Sequence, residues 1–394
     1  MKKIHLLFLL SLSIIGPTNA DFKDGLDEYS KGNFVAAFKE WHLLANKGDA
    51  KAQNNLGVMY QNGQGILQEY KEAVKWYTKA SEQGVASAQY NLGLLYAEGK
   101  GVLQDYVETY KWHRKAAEKG HAKAQFSLGL MYANGKGALK DDKEAYKWFT
   151  KAAEQGVAKA QYNLGLIYAE GKEVLQDDKQ AYKWHRKAAN QGDVNAQYNL
   201  ARIYKNGKGV VKDYKKAYKW FTKAANQGDA KAQYSLGLIY QYGEGVLQDY
   251  RQAYKLYREA AIQGDAKAQY SLGLMYANGK GVLKDDKEAY KWYKKSAEKG
   301  NTKAQYNLGW MYVEGKGVLQ DDKKAYKWYK KSAEKGHAKA QYNLGWMYAN
   351  GEGVLKDLPK AKYWVKKSYE NPKSDNLIKE KSRVIWNELK LWKY

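Results

Sequence analysis

The chain has 394 residues, 67 of them basic against 42 acidic for a formal charge of +25, and it contains no cysteine. The missing thiol excludes a disulfide framework, thiolate metal sites, a cysteine nucleophile and a lipid-anchored cysteine behind a leader. The basic excess points to acidic proteins, anionic lipid headgroups or anionic polysaccharide as electrostatic partners.

In chain order, residues 1–20 stand apart. Lys2 and Lys3 make a positive start, Leu6 to Ile15 an apolar core and Thr18-Asn19-Ala20 a small-residue cleavage site, which together predict a removable secretory leader. Loss of Lys2 and Lys3 leaves a charge of +23. The mature chain is expected to be exported to the periplasm, with secretion or attachment to the cell surface as the alternatives. Nucleic acid is not an expected partner there. No later stretch approaches the roughly 20 apolar residues of a membrane helix, so a spanning segment is not expected.

Residues 21–49 predict a capping helix pair around Gly32-Asn33, with Phe34, Phe38 and Trp41 on its apolar side. From 50 to 373 one text recurs nine times at an unbroken spacing of 36 residues, so that its alanine falls at Ala52, Ala88 and so on to Ala340. A period of that length makes the chain a stack of small identical units. In the repeat 230–265, Ala232, Leu236, Gly237 and Tyr240 fall on one face of a first helix. Ala253, Leu256, Tyr257, Ala260 and Ala261 make the stripe of a second, and the Leu256 position is Trp in the other repeats, as at Trp76, Trp292 and Trp364. Gly243 and Gly245 end the first helix, Asp249 caps the second and Gly264 closes it. Only one repeat replaces the cap, by Glu69. Neither helix can bury its apolar face alone, so neighbouring pairs must stack. After Pro372, Ser374 is expected to cap a final helix within 374–394, with Leu377, Val384, Ile385, Leu389 and Trp392 as its apolar face.

This text resembles the Sel-1-like repeat family, relatives of the tetratricopeptide repeats. The family signature A-x-x-x-L-G-x-x-Y-x-x-G-x-G-V-x-x-D-x-x-x-A-x-x-W-x-x-K-A-A-x-x-G is matched almost completely by Ala268 to Gly300, and the likeness covers residues 22–372. It implies an all-α fold, a right-handed α-solenoid of nine helix-turn-helix repeats between two caps. It also implies an adaptor that assembles other proteins, with scaffolds, regulators, immunity proteins and host-contact factors among the exported bacterial members.

Some cysteine-rich exported relatives resemble penicillin-binding proteins and have been associated with β-lactam hydrolysis, which makes a hydrolase the remote alternative. This chain departs from them in having no cysteine. Ser296-Ala297-Glu298-Lys299 and Ser332-Ala333-Glu334-Lys335 satisfy S-x-x-K and Ser374-Asp375-Asn376 spells S-D-N, but K-T-G is missing. The serines fall in a repeated last helical turn, so the matches read as chance and no enzyme is expected. Turns such as Gly99-Lys100-Gly101 follow a helix rather than a strand and lack phosphate-loop spacing. His113 and His185 hold equivalent places in alternate repeats and read as packing variants of Tyr and Phe. Neither a metal nor a cofactor is expected.

The resemblance places the first helices on the concave side. There the residue before the invariant leucine is always polar: Asn55, Asn91, Ser127, Asn163, Asn199, Ser235, Ser271, Asn307 and Asn343. Such a column can exchange hydrogen bonds with the backbone of an extended peptide, or satisfy local groups instead. One turn further on lie Val58, Leu94, Leu130, Leu166, Arg202, Leu238, Leu274, Trp310 and Trp346. Arg202, with Lys205 nearby, could hold an acidic side chain or a terminal carboxylate, and Trp310 and Trp346 could serve as aromatic anchors or as core filler. The expected partner is thus a protein or peptide of acidic character in a concave groove. The second helices carry a basic column, Lys75, Lys111, Lys147, Lys183, Lys219, Lys255, Lys291 and Lys327, joined four residues on by Lys79 and its equivalents. Binding of an anionic envelope surface by this outer ribbon is the main alternative function, and an immunity or regulatory role is another.

Overall fold

The computed structural model describes residues 21–393, so the leader expected at 1–20 lies outside the described residues. Among the described residues there are 21 α-helices, a short 3-10 turn at Leu391–Lys393 and no strand. Every α-helix after the first has 13 residues, about 20 Å of rise. The nine consecutive helix pairs make this an α-solenoid. The chain divides into two compact units, one ending at Asp177 and the other beginning at Asp178. The first opens with a pair Phe22–Ser30 and Phe34–Asn46 around buried Trp41, and continues to the helix Ala158–Glu170. The second runs from the helix Asp178–Asn190 to the helix Asn376–Glu388 and the terminal turn.

The repeat 230–265 shows why the pairs form. Its first helix, Ala230–Tyr242, starts where the Asp229 carboxylate accepts the Ala232 amide at 2.6 Å and stops at Gly243, whose φ of 71° is left-handed. The second helix, Tyr250–Ile262, starts where Asp249 accepts the amides of Arg251 and Gln252 at 2.8 and 3.0 Å. Glu69, the exception, makes no such side-chain bond. Ala232, Leu236, Ala253, Tyr257, Ala260 and Ala261 are buried, as their spacing requires. Gly237 and its sisters have no side chain because the neighbouring ring needs the room: a Cβ on Gly237 would strike Tyr257, and one on Gly273 would strike Tyr293.

Polar residues lock each repeat to the next. The glutamine of A-x-A-Q is buried in every repeat. In eight of them, as at Gln53, Gln269 and Gln305, its Nε2 donates to a last-turn carbonyl of the preceding repeat, at 3.0 to 3.3 Å. Such bonds satisfy carbonyls that a helix end leaves free. Tyrosines add a second lock. Tyr110 meets Tyr132 and Tyr146 meets Tyr168 in the first unit, and Tyr182–Tyr204 to Tyr326–Tyr348 repeat the contact in the second, hydroxyl to hydroxyl at 2.8 to 3.1 Å. Burial and the partner hydroxyl push Tyr240 up to about 12, so the pairs stay protonated at neutral pH.

Two places depart from expectation. The last helix, Asn376–Glu388, is capped by Asp375, which accepts the Ile378 amide at 2.9 Å, while Ser374 turns back to donate to the Ser368 carbonyl. Ile378, Ser382 and Ile385 are buried and Leu389 packs half-buried against the core beside Ile385, whereas Leu377, Val384 and Trp392 are exposed, so the expected apolar face holds at Ile385 and Leu389 and fails at the other three.

The second departure is Glu173, where sister repeats have glycine. It keeps the left-handed conformation at φ 59°, which a residue with a side chain adopts at a cost of about 1 kcal/mol. Glu173→Gly is expected to raise the stability of its unit by about that amount, read as a higher urea midpoint. An unchanged or lower midpoint would show that the glutamate side chain repays its strain.

Candidate functional site

In the unit 178–393 the first helices Ala230–Tyr242, Ala266–Asn278 and Thr302–Glu314 line a groove of about 690 Å³. Tyr234, Tyr242, Tyr250 and Tyr270 supply aromatic walls, Leu238 and Leu274 an apolar floor, and Lys267, Lys280 and Lys303 the charge. No carboxylate stands in this lining. Lys280 lies over the Tyr250 ring at 5.2 Å from its centre, which holds the ammonium at the groove wall. Three ammonium groups beside exposed aromatic edges can bind a carboxylate-bearing chain: they donate charge-assisted hydrogen bonds while the rings cover its apolar parts.

The floor residues Leu238 and Leu274 belong to the column that contains Arg202, Trp310 and Trp346. Both tryptophans are exposed, by 38% and 40%, so they are surface rather than core filler. Lys316 lies over the Trp310 ring at 4.4 Å, and Trp346 Nε1 donates to Glu352 at 3.3 Å. Arg202 is exposed beside the Tyr198 ring. Lys205 is already paired: it binds Glu244 of the next repeat, with each side chain only about a quarter exposed. It ties two repeats together instead of standing open for an external acid.

The polar column is half-buried at Asn55, Asn91, Asn163, Asn199, Asn307 and Asn343. Several of these amides have tyrosine partners in the preceding repeat. Asn91 stands beside the Tyr77 hydroxyl, Asn307 beside those of Tyr270 and Tyr293, and Asn343 beside that of Tyr329. Asn55 accepts from Asn54 at 3.2 Å. In the unit 21–177, Asn163 borders a smaller groove of about 400 Å³ with Leu130, Phe149, Leu166 and Glu173. Its walls mix Lys140 and Lys172 with Asp142 and Glu170, so it has no single preference of sign.

The outer lysines behave differently from repeat to repeat. Lys75, Lys111, Lys147 and Lys291 pair with a glutamate one turn back, at 3.1, 2.6, 2.9 and 2.5 Å. At Lys183, Lys219, Lys255 and Lys327 the residue one turn back is Gln180, Lys216, Gln252 or Lys324, so that pairing is impossible. The second lysine column rests on tryptophan: Lys79, Lys115, Lys151, Lys187, Lys223, Lys295 and Lys331 sit 4.2 to 4.5 Å from the ring centres of Trp76 and its equivalents. Each contact stabilises by roughly 0.5–1 kcal/mol and offsets the repulsion between lysines four residues apart. The charge is unequally shared. Residues 178–394 hold 44 of the 67 basic and 22 of the 42 acidic residues, a net +22, which leaves +3 for residues 1–177.

Ser296 and Ser332 are fully buried, and their hydroxyls donate to the carbonyls of Ala266 and Thr302 at the start of the first helix of the same repeat, at 2.6 and 2.8 Å. The S-x-x-K matches therefore stand on structural staples with no nucleophile at the surface. His113 and His185 fill the ring position held by Tyr77 and Phe149 in sister repeats, and burial pushes both imidazoles down to about 4. Among the described residues no group of three or more His, Cys, Asp or Glu is placed to hold a metal ion, and no helix is long and apolar enough to cross a membrane.

The groove tyrosines and lysines escaped the sequence reading. Tyr234 and Tyr270 lie inside the repeat consensus, and Lys267 and Lys303 inside its A-K-A-Q and T-K-A-Q variants, so position in the repeat gave no sign that these copies face an opening.

The Sel1 repeat model matches the chain nine times without a gap, from residues 50–85 to 338–372. No curated protein matches it. Among solved structures it is similar to a protective antigen of uropathogenic Escherichia coli with an SLR fold: 34% identity over 94% of this chain and 88% of that one, TM-score 0.68. It is also similar to a Sel1 repeat protein from Oxalobacter formigenes: 33% identity over 85% of this chain and 97% of that one, TM-score 0.61. Sel1 repeat proteins are generally protein–protein interaction scaffolds, typically without catalysis. With its repeats matched from end to end and two such relatives aligned over most of their length, the chain belongs to the Sel1 repeat family.

Proposed function

We propose that this protein is a non-enzymatic adaptor of the bacterial envelope that binds a protein or peptide of acidic character in the first-helix groove of the unit 178–393. The observation that carries the reading is the groove lining, with Lys267, Lys280 and Lys303 among four tyrosines and no carboxylate. The pattern of a leader at residues 1–20 supports export, with the periplasm as the working compartment.

The test is affinity capture from envelope extract with the mature protein and with Lys267→Glu/Lys303→Glu, both surface changes that leave the core intact. A defined protein captured by the native form and bound at least tenfold more weakly by the variant supports the adaptor reading. Equal capture by the variant contradicts it.

A second reading rests on Lys219, Lys255 and Lys327, which lack the usual glutamate in the strongly basic unit. There the outer face would hold an anionic polysaccharide or lipid surface. Retention on such a surface would fall with salt, and charge reversal at these three lysines would abolish it.

A further inference from the structure

The last repeat breaks the consensus at three places that meet at one cavity. Val365 stands where the other eight repeats have a ring, as at Tyr293 and Tyr329. Lys362 stands where seven of them have tyrosine, and Tyr369 where they have alanine or, once, Ser81. All three line a cavity of about 490 Å³ between the helix Leu358–Glu370 and the final helix Asn376–Glu388. Trp386 of the final helix and Trp392 of the terminal turn complete an aromatic wall, with Tyr369 and Trp392 exposed by 41% and 52%. A volume of that size falls in the ordinary range of small-molecule sites, roughly 300–1,000 Å³. A helix that served only to close the stack would fill the room that Val365 gives up, and this one leaves it open.

The charge around the cavity stays positive after the carboxylates are counted. Lys362, Lys366 and Arg383 line it against one acid, Glu370, which Lys366 holds at 3.8 Å. Glu380 meets Arg383 from outside the lining at 3.5 Å, and Arg383 also stands beside the Tyr369 hydroxyl. Lys362 has no ion pair among the described residues and lies instead over the Trp386 ring, 5.9 Å from its centre. Residues 358–394 as a whole carry ten basic and four acidic side chains, a net of +6.

We propose that this cavity binds an amphipathic carboxylate, a small molecule with one acid group on an apolar chain or ring. The aromatic walls cover the apolar body, and the Lys362 ammonium donates charge-assisted hydrogen bonds to the carboxylate. One uncommitted ammonium calls for one negative charge, whereas a polyanion would meet Glu370 and Glu380 as well. The cavity is separate from the first-helix groove, and the inference does not depend on that site.

The experiment is isothermal titration of the mature full chain with decanoate, and with decan-1-ol as its uncharged analogue. The native protein is compared with Lys362→Glu, with Trp392→Ala and with Lys267→Glu/Lys303→Glu, which alters only the groove. Lys362 is half-buried and Trp392 exposed, so both single variants are expected to fold unchanged, with circular dichroism as the check. The expected result is one decanoate site, weakened about tenfold or more by Lys362→Glu and by Trp392→Ala, untouched by the groove variant, and about tenfold weaker for the alcohol. Equal affinity for acid and alcohol, or native affinity in either single variant, would overturn the proposal. Loss of binding in the groove variant would assign the acid to the groove, and no binding of decanoate at all would overturn the proposal outright.

Discussion

Gly281→Val is expected to lower the stability of its unit by about 3 kcal/mol or more, well above the loss from Gly336→Val. Both glycines have left-handed φ, 75° and 80°, where a β-branched residue is strained by roughly 1–2 kcal/mol. Only Gly281 is also pressed against backbone: a Cβ there would meet the Tyr250 carbonyl oxygen, whereas nothing lies within 4 Å of one on Gly336. A backbone carbonyl cannot swing aside like a flexible side chain, so repeats six and seven would have to separate. Urea midpoints of the two variants measure the difference, which is the contribution of close stacking between repeats. Equal losses would mean that the turns do not bear on one another.

Acid should weaken the native protein more than a variant carrying His113→Phe and His185→Phe. Both imidazoles are buried, and burial sets their folded pKa near 4, against roughly 6.5 in the unfolded chain. The folded state therefore favours the neutral form. The stability involved is complete above pH 6.5 and is lost as pH falls from 6.5 towards 4, by up to about 3 kcal/mol for each histidine. Phenylalanine already fills the same place at Phe149 and Phe221, so the variant should pack. Urea midpoints at pH 7 and pH 4.5 test this: the native protein should lose several kcal/mol more than the variant. Parallel losses would assign the acid sensitivity to other groups.

The fold was legible because the same physical demands recur nine times. Left-handed glycines, aspartate caps and alanine stripes each leave a fixed residue type at a fixed place, and period makes them visible. The last helix lacked that support. With no sister copy to set its phase, the cap was read as Ser374 where Asp375 accepts the Ile378 amide, and the expected apolar face was right only at Ile385 and Leu389. The buried glutamines hid for the opposite reason: Gln269 looks like a surface residue by type, and only its bond to Ala261 in the preceding repeat explains its burial.

The candidate site was less legible. Trp310 and Trp346 were readable as exceptions within a column, and both are exposed. Lys205 looked equally exceptional, but its partner Glu244 lies in the next repeat. Tyr234, Tyr270 and Lys267 match their sisters in type, so nothing in the text marks them.

Site-directed photo-crosslinking in envelope extract tests the central claim most directly, with a benzophenone amino acid placed at Leu274 on the groove floor or at Lys255 on the outer face of the intact protein. The account predicts one defined protein adduct from Leu274, suppressed by Lys267→Glu/Lys303→Glu, and none from Lys255. Adducts from Lys255 alone, or a Leu274 adduct indifferent to the two charge reversals, would contradict it.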